Sequence, residues 1–141
     1  MSSVRQSAGF SLIEVLVSVL VLGSGILGMA SLQLNALKYN QVAAVRSQAT
    51  FLAYDITDRM RANRTKARAG SYDISLDASA PGGSSIVATD LQQWRAALDE
   101  QLPDGKGAVE HNTEKFIITV QWDESRVGGA ASQQFVYETQ L

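Results

Sequence analysis

The longest apolar stretch of the chain lies close to its N-terminus. Polar residues do not recur in it at the regular spacing that would form a polar helix face. From Val15 to Leu37 there are 23 residues without a charged side chain. About 20 mostly apolar residues suffice to cross the hydrocarbon core of a bilayer. We therefore predict a transmembrane helix at residues 10–37, which follows a short, polar and basic segment at residues 1–9.

The helical pattern continues beyond the apolar stretch, but it becomes amphipathic. Apolar residues recur mostly at steps of three and four, while the opposite side is polar. This pattern predicts that the helix continues over residues 38–69 and ends before Gly70. Its apolar stripe, which we expect to pack on a soluble domain, consists of Leu32, Ala36, Tyr39, Ala43, Ala49, Ala53, Ile56 and Met60.

Three glycines, Gly23, Gly25 and Gly28, lie in the second half of the apolar stretch. Each glycine lowers helix stability by about 1 kcal/mol relative to alanine. We therefore predict that the helix is flexible at these positions, although membrane helices tolerate glycine and use small residues for close packing.

The remaining residues, 70–141, predict a small α+β head. "SYDISLD" alternates like a short strand, and Thr89 with Gln92 fits a capping box that opens a second helix. Two later segments, "KFIITVQWDE" and "QFVYETQL", alternate like antiparallel strands joined by a hairpin. The residues expected on the buried faces are Leu91, Trp94, Leu98, Phe116, Ile118, Val120 and Trp122.

Composition narrows the classes of protein that the chain can represent. The formal net charge is −2 and there is no cysteine. The balance of charges provides no basic field for nucleic acid, and the fold cannot contain a disulfide or a thiolate metal site. We expect no cofactor and no metal.

Few residues suggest catalysis. His111 is the only histidine, and the sequence contains neither a GxSxG nor an HExxH motif. We predict that His111 lies in a surface loop; a membrane-anchored enzyme that uses it is the alternative. "DGKGAVE", residues 104–110, predicts a turn rather than a calcium loop. Asp123 and Glu124 predict the start of a solvated hairpin rather than an acid pair.

A basic run closes the predicted long helix. Arg59, Arg61 and Arg64 belong to it, together with Lys66 and Arg68. Cations at this position interact favourably with the C-terminal end of a helix dipole. The pattern favours a solvated helix end with local ion pairs, and contact of Arg59, Arg61 and Arg64 with a partner protein is the alternative.

Glu14 is the exception in the apolar stretch. A carboxylate within a membrane span is costly and usually marks a functional site with a specific partner. The alternative is that Glu14 lies near the interface and reaches the headgroups. That alternative does not explain the "AGF" that stands before it.

The segment "GFSLIEVLVSVLVLG" resembles the class III signal of type IV prepilins and pseudopilins, with glycine, phenylalanine and glutamate at matching spacing. The resemblance implies that prepilin peptidase cleaves between Gly9 and Phe10 and methylates the new amine of Phe10. It also implies that Glu14 pairs with the amine of a neighbouring subunit during assembly, and that the α+β fold is type IV pilin-like.

Residues 1 to about 64, including "AYDITDRMRAN", are similar to the PilV family of minor pilins. This resemblance implies an inner-membrane protein with a periplasmic head that later enters the pilus of a Gram-negative cell and supports twitching motility and adhesion. The implied partners are other minor pilins, the major pilin, the inner-membrane assembly platform and a tip adhesin. A minor pseudopilin of type II secretion is the alternative.

Overall fold

The computed structural model describes residues 11–113 and 115–141. The predicted leader at residues 1–9 and the predicted first mature residue, Phe10, lie outside the described residues. The chain divides into two compact units, one that ends at Tyr39 and a second from Asn40 to Leu141, which we call the head.

The first helix, α1, extends from Leu12 to Ala62 and contributes to both units. Its residues in the N-terminal unit are exposed throughout, and they include Leu20 at 72% and Leu27 at 74%. A window of 18 residues in α1 has a mean hydropathy of 2.2. Among the described residues, α1 is the one helix with the length and composition to cross a membrane.

The head contains the end of α1, two further helices and three strands. The helices are α2 (Arg64–Arg68) and α3 (Ile86–Gln101), and a 3₁₀ turn covers Ser125–Val127. The strands are β1 (Lys106–Asn112), β2 (Lys115–Trp122) and β3 (Gln133–Gln140). They form one antiparallel sheet in the order β1–β2–β3. A long N-terminal helix packed with a small antiparallel sheet confirms the predicted α+β, pilin-like fold.

The core of the head lies among α1, α3 and the sheet. The predicted alternation of β2 is confirmed, because its four inward residues are all buried: Phe116, Ile118, Val120 and Trp122. The predicted stripe of α3 is confirmed in the same way by Leu91, Trp94 and Leu98. From α1, the core receives Ala49, Leu52, Ala53, Ile56 and Met60. The first half of the predicted stripe does not pack on the core, because its residues are exposed: Leu32, Ala36, Tyr39 and Ala43.

Two helix boundaries differ from the sequence-based expectations. α3 begins at Ile86 rather than Thr89, because the Ser85 hydroxyl accepts a hydrogen bond from the Ala88 N–H at 3.1 Å and caps the helix earlier. The helix expected over residues 38–69 is divided at Asn63, whose φ of −121° and ψ of 47° are not helical. α2 follows as a separate, single-turn helix.

The first strand of the sheet was not predicted. β1 contains His111, so the prediction of a loop histidine was wrong. β1 lacks the large apolar residues that mark a strand because α3 packs closely on it: a Cβ at Gly107 would lie 2.4 Å from the Trp94 ring. The strand expected at "SYDISLD" is reduced to one bridge between Ile74 and Val109.

Candidate assembly site at the start of the long helix

Glu14 lies in the first turn of α1. The Ser11 carbonyl accepts hydrogen bonds from the N–H groups of Glu14 at 3.0 Å and Val15 at 3.2 Å, which closes this turn. The Ser11 hydroxyl also accepts a long hydrogen bond, 3.4 Å, from the Ile13 N–H. A carboxylate in the first turn interacts favourably with the helix dipole, by about 0.3–1 kcal/mol at an exposed site. The helix terminus therefore suits Glu14 but offsets little of the cost of placing it in lipid.

The surroundings of Glu14 are apolar. It lines one exposed face of α1 together with Val15, Ser18, Val19 and Leu22. The Ser18 hydroxyl donates to the Glu14 carbonyl at 2.7 Å, so this polar side chain is satisfied within the helix. Within residues 11–113 and 115–141, no hydrogen bond or ion pair is formed by the Glu14 carboxylate. The Glu14 carboxylate is thus exposed on an apolar face of α1.

The three glycines of the apolar stretch lie on an uninterrupted part of α1. A Cβ at Gly23, Gly25 or Gly28 would meet no atom within 4 Å, leaving aside the helix's own nearby backbone. The N-terminal unit therefore does not need these glycines for its own packing. Flexibility at these positions remains a prediction.

The basic residues near the end of α1 differ in their surroundings. Arg59 donates to Asp55 at 3.0 Å, to Gln93 at 2.7 Å and to Asp90 at 3.4 Å, so its guanidinium joins α1 to α3. Arg61 forms an exposed pair with Asp58 at 2.9 Å. Arg64, the first residue of α2, is exposed. The three arginines therefore differ in how far the head itself uses them.

Asp90 also belongs to a partly buried network of polar side chains. The hydroxyl of Tyr72, a fully buried residue, donates to Asp90 at 2.6 Å and receives a long hydrogen bond from Asn63. Burial, followed by the hydrogen bond to Asp90, raises the pKa of Tyr72 to about 12. This network joins the α1–α2 junction to α3.

His111 has a structural environment on β1. Its ring stacks on Phe116 with centroids 4.9 Å apart, and its Nε2 lies 3.1 Å from the Thr113 carbonyl oxygen. In the part of the chain that the structure describes, no group of three or more metal-ligating side chains is present. The segment expected to form a turn at residues 104–110 is a turn only at its start, because β1 begins at Lys106.

Sequence reasoning missed an ion pair between Arg46 and Glu124. Glu124 was predicted to be solvated, but it is 4% exposed and both its oxygens accept hydrogen bonds from Arg46 at 3.1 Å. The sequence did contain an indication that Glu124 is buried. Inward positions of β2 recur every two residues and end at Trp122, and Glu124 is the next position of that series. The hydrogen bond from Arg46 lowers the pKa of Glu124; burial opposes this shift, and the Trp122 hydrogen bond and the Arg46 charge add to it.

The N-terminal part of the chain, which contains Glu14, matches a known sequence motif. Residues 4–30 match the prokaryotic N-terminal methylation motif. The matched segment contains Gly9, Phe10 and Glu14 as well as the three glycines. Searches of curated proteins and of solved structures find no match to the chain.

The motif indicates a type IV pilin-like or pseudopilin protein. It implies processing by prepilin peptidase and assembly with other pilins. Together with the long apolar part of α1, it fits anchoring in a membrane followed by incorporation into a pilus. A motif of this type suggests a structural, non-enzymatic protein.

Proposed function

We propose that the protein is a minor pilin of the type IV pilus, of the PilV type. The observation that carries this proposal is Glu14, which lies in the first turn of a membrane-length apolar helix inside the matched motif. The resemblance of "AYDITDRMRAN" to PilV supports the finer assignment. The protein would join other minor pilins in a complex that primes pilus assembly, and so support twitching motility and adhesion.

In this proposal, prepilin peptidase hydrolyses the amide bond between Gly9 and Phe10 and methylates the new amine of Phe10. The leader at residues 1–9 is released, while residues 10–37 stay in the membrane as the future filament-core helix. The rest of α1, which ends at Ala62, continues into the periplasm, where it forms part of the head. The retained apolar helix explains why no cleavage site is needed after it.

Glu14 receives the amine of a neighbouring subunit in this proposal. Phe10 and Glu14 are four residues apart, about one helical turn, so each subunit presents a cation and an anion at different depths. In an apolar environment, an unpaired carboxylate is costly and its attraction to an amine is strong. A subunit that enters beside an older one gains this pair only in one axial register.

Mass spectrometry of filament-associated protein tests the processing step. We expect an N-methylated Phe10 at the N-terminus. Assembled protein that retains Met1 would contradict the proposed cleavage.

Substitution of Glu14 tests its role in assembly. Glu14→Ala should be cleaved normally but should enter pili poorly, while Glu100→Ala, which removes an exposed carboxylate of α3, should assemble like the wild type. Normal piliation by Glu14→Ala would exclude the pairing of Glu14 with an amine.

Complementation of deletion strains separates the pilus from type II secretion. Rescue of piliation and twitching supports the minor pilin, whereas rescue of protein secretion alone supports a minor pseudopilin. Co-purification of the heads with other minor pilins, the major pilin, the assembly platform or a tip adhesin then identifies the partners. The basic residues Arg59, Arg61 and Arg64 are candidates for these contacts, and Arg64 is exposed.

A further inference from the structure

The connection between β2 and β3, residues 123–132, contains a buried carboxylate. Among the described residues, Glu124 is the one charged residue that is buried, with 4% of its surface exposed. Its Oε1 accepts hydrogen bonds from Arg46 Nε at 3.1 Å and from the Trp122 indole N–H at 2.9 Å, and its Oε2 accepts one from Arg46 Nη2 at 3.1 Å. The carboxylate is thus held from both sides.

The backbone of Glu124 also organises the rest of the connection. Its N–H donates to the Ala130 carbonyl at 3.1 Å, and its carbonyl accepts from the N–H groups of Val127 at 3.1 Å and Gly129 at 3.0 Å. The connection passes so close that a Cβ at Gly129 would lie 2.6 Å from the Glu124 Cβ. One residue therefore both shapes the connection and attaches it to α1.

The attachment point on α1 is Arg46. Among the described residues of α1, Arg46 is the most N-terminal one whose side chain forms a hydrogen bond to a residue outside the helix. The buried residues of α1 begin only at Ala49. The ion pair thus lies near the end of α1's packing in the head, between the partly buried Val45 and the first buried residue, Ala49.

We propose that residues 123–132 are a strap that is fastened to α1 by the Arg46–Glu124 pair and can be released without unfolding of the core. The reason is the unequal exposure of the two side chains, 57% for Arg46 and 4% for Glu124. If Arg46 withdraws, the Glu124 carboxylate loses its cation and keeps the Trp122 indole as its one remaining side-chain donor, so it gains free energy by moving further into water.

Release then follows from the bonding pattern of the strap. Glu124 gains further solvation when it moves out into water, and the backbone hydrogen bonds to Ala130, Val127 and Gly129 all depend on its position. The strap moves with Glu124, and the indole N–H of Trp122 loses its acceptor. The ladder between β2 and β3 does not depend on Glu124 and stays paired.

Hydrogen exchange on the full chain in detergent micelles tests this proposal. In Arg46→Gln, we expect faster exchange of the Glu124, Val127 and Gly129 amides and of the Trp122 indole N–H. An increase of about tenfold corresponds to about 1.4 kcal/mol of local stability. The amides of Ile118 and Val120 on β2 should be unchanged. Arg61→Gln, which breaks the exposed pair with Asp58, is the matched control and should leave the strap as it is.

A second substitution distinguishes a strap released by its buried charge from an ordinary ion pair. Glu124→Gln keeps an acceptor for the Trp122 indole but carries no charge, so the double variant R46Q/E124Q should exchange more slowly in the strap than R46Q alone. The proposal is overturned if R46Q leaves the strap amides within about twofold of the wild type, a change of about 0.4 kcal/mol. It is also overturned if the double variant exchanges faster than R46Q, or if β2 opens together with the strap.

Discussion

The two units of the chain use apolar side chains in opposite ways. Leu22 in the N-terminal unit is 65% exposed, whereas Leu98 in the head is fully buried. Both are leucines in α-helices, so helix formation does not distinguish them. The head removes apolar surface from water by its own packing, but the N-terminal unit requires lipid or other chains to do the same. The two halves of α1 are therefore suited to different environments: an apolar one for the first half and the packed head for the second.

The largest expected difference comes from shortening these two leucines. Leu98→Ala removes a buried side chain and should lower the free energy of unfolding of the head by about 2–5 kcal/mol. Leu22→Ala should leave that free energy unchanged. Denaturant unfolding of the detergent-solubilised protein, followed by tryptophan fluorescence, measures both. Similar losses in the two variants would show that the N-terminal unit supports the stability of the head.

A matched pair of glycines sharpens the comparison. Gly107→Ala places a Cβ against the Trp94 ring, at 2.4 Å if nothing moves, and should cost about 1–3 kcal/mol of head stability. In Gly23→Ala the added Cβ has no neighbouring atom within 4 Å, so this substitution should increase helix stability by about 1 kcal/mol. Thermal unfolding by circular dichroism measures both effects. A tolerated Gly107→Ala would contradict the close packing of α3 on β1.

Alkaline pH should destabilise the head through Tyr72. Its pKa is raised from 10.0 to about 12 in the folded protein, so the folded state favours the neutral phenol. This contribution to stability is fully present below pH 10 and is lost as the pH rises through about 12. Tyr72→Phe should cost about 1.5 kcal/mol at neutral pH through the lost hydrogen bond to Asp90. It should also flatten the fall in stability above pH 10, and an unchanged pH profile would contradict the assignment.

The smallest differences are expected within the basic run. Arg61→Gln breaks an exposed pair and should cost about 0.2–0.5 kcal/mol. Arg59→Gln should cost more, about 1–2 kcal/mol, because Arg59 is partly buried and bonded to three side chains. Equal losses in urea unfolding would show that the Arg59 network adds nothing to the head.

Sequence patterns predicted the elements that have a long and regular period. The 3.6-residue period of α3 and the two-residue period of β2 placed Trp94, Phe116 and Trp122 in the core correctly. The apolar stretch and the position of Glu14 indicated the prepilin signal that the methylation motif supports. Each of these patterns lies within a single segment of the chain, so it can be recognised without knowledge of the fold.

The missed features depend on contacts between distant segments. β1 has small residues because Trp94 of α3 packs against Gly107, and this neighbour lies 13 positions away. Glu124 is buried because Arg46, 78 positions away, meets it. Arg59 is placed by Asp90 and Gln93 rather than by its own helix alone. The spacing of apolar residues within one segment does not reveal such contacts between distant segments.

The sequence by itself determined that the first half of α1 needs an apolar environment, since 23 consecutive residues without charge leave no polar face for water. It also determined that Glu14 is an exception within that half. The tertiary structure decided which residues of α1 enter the core of the head, which arginines bind other side chains of the head, and that Glu124 is held against Arg46. These outcomes depend on which surfaces meet across the chain, because burial and charge pairing are properties of the packed head.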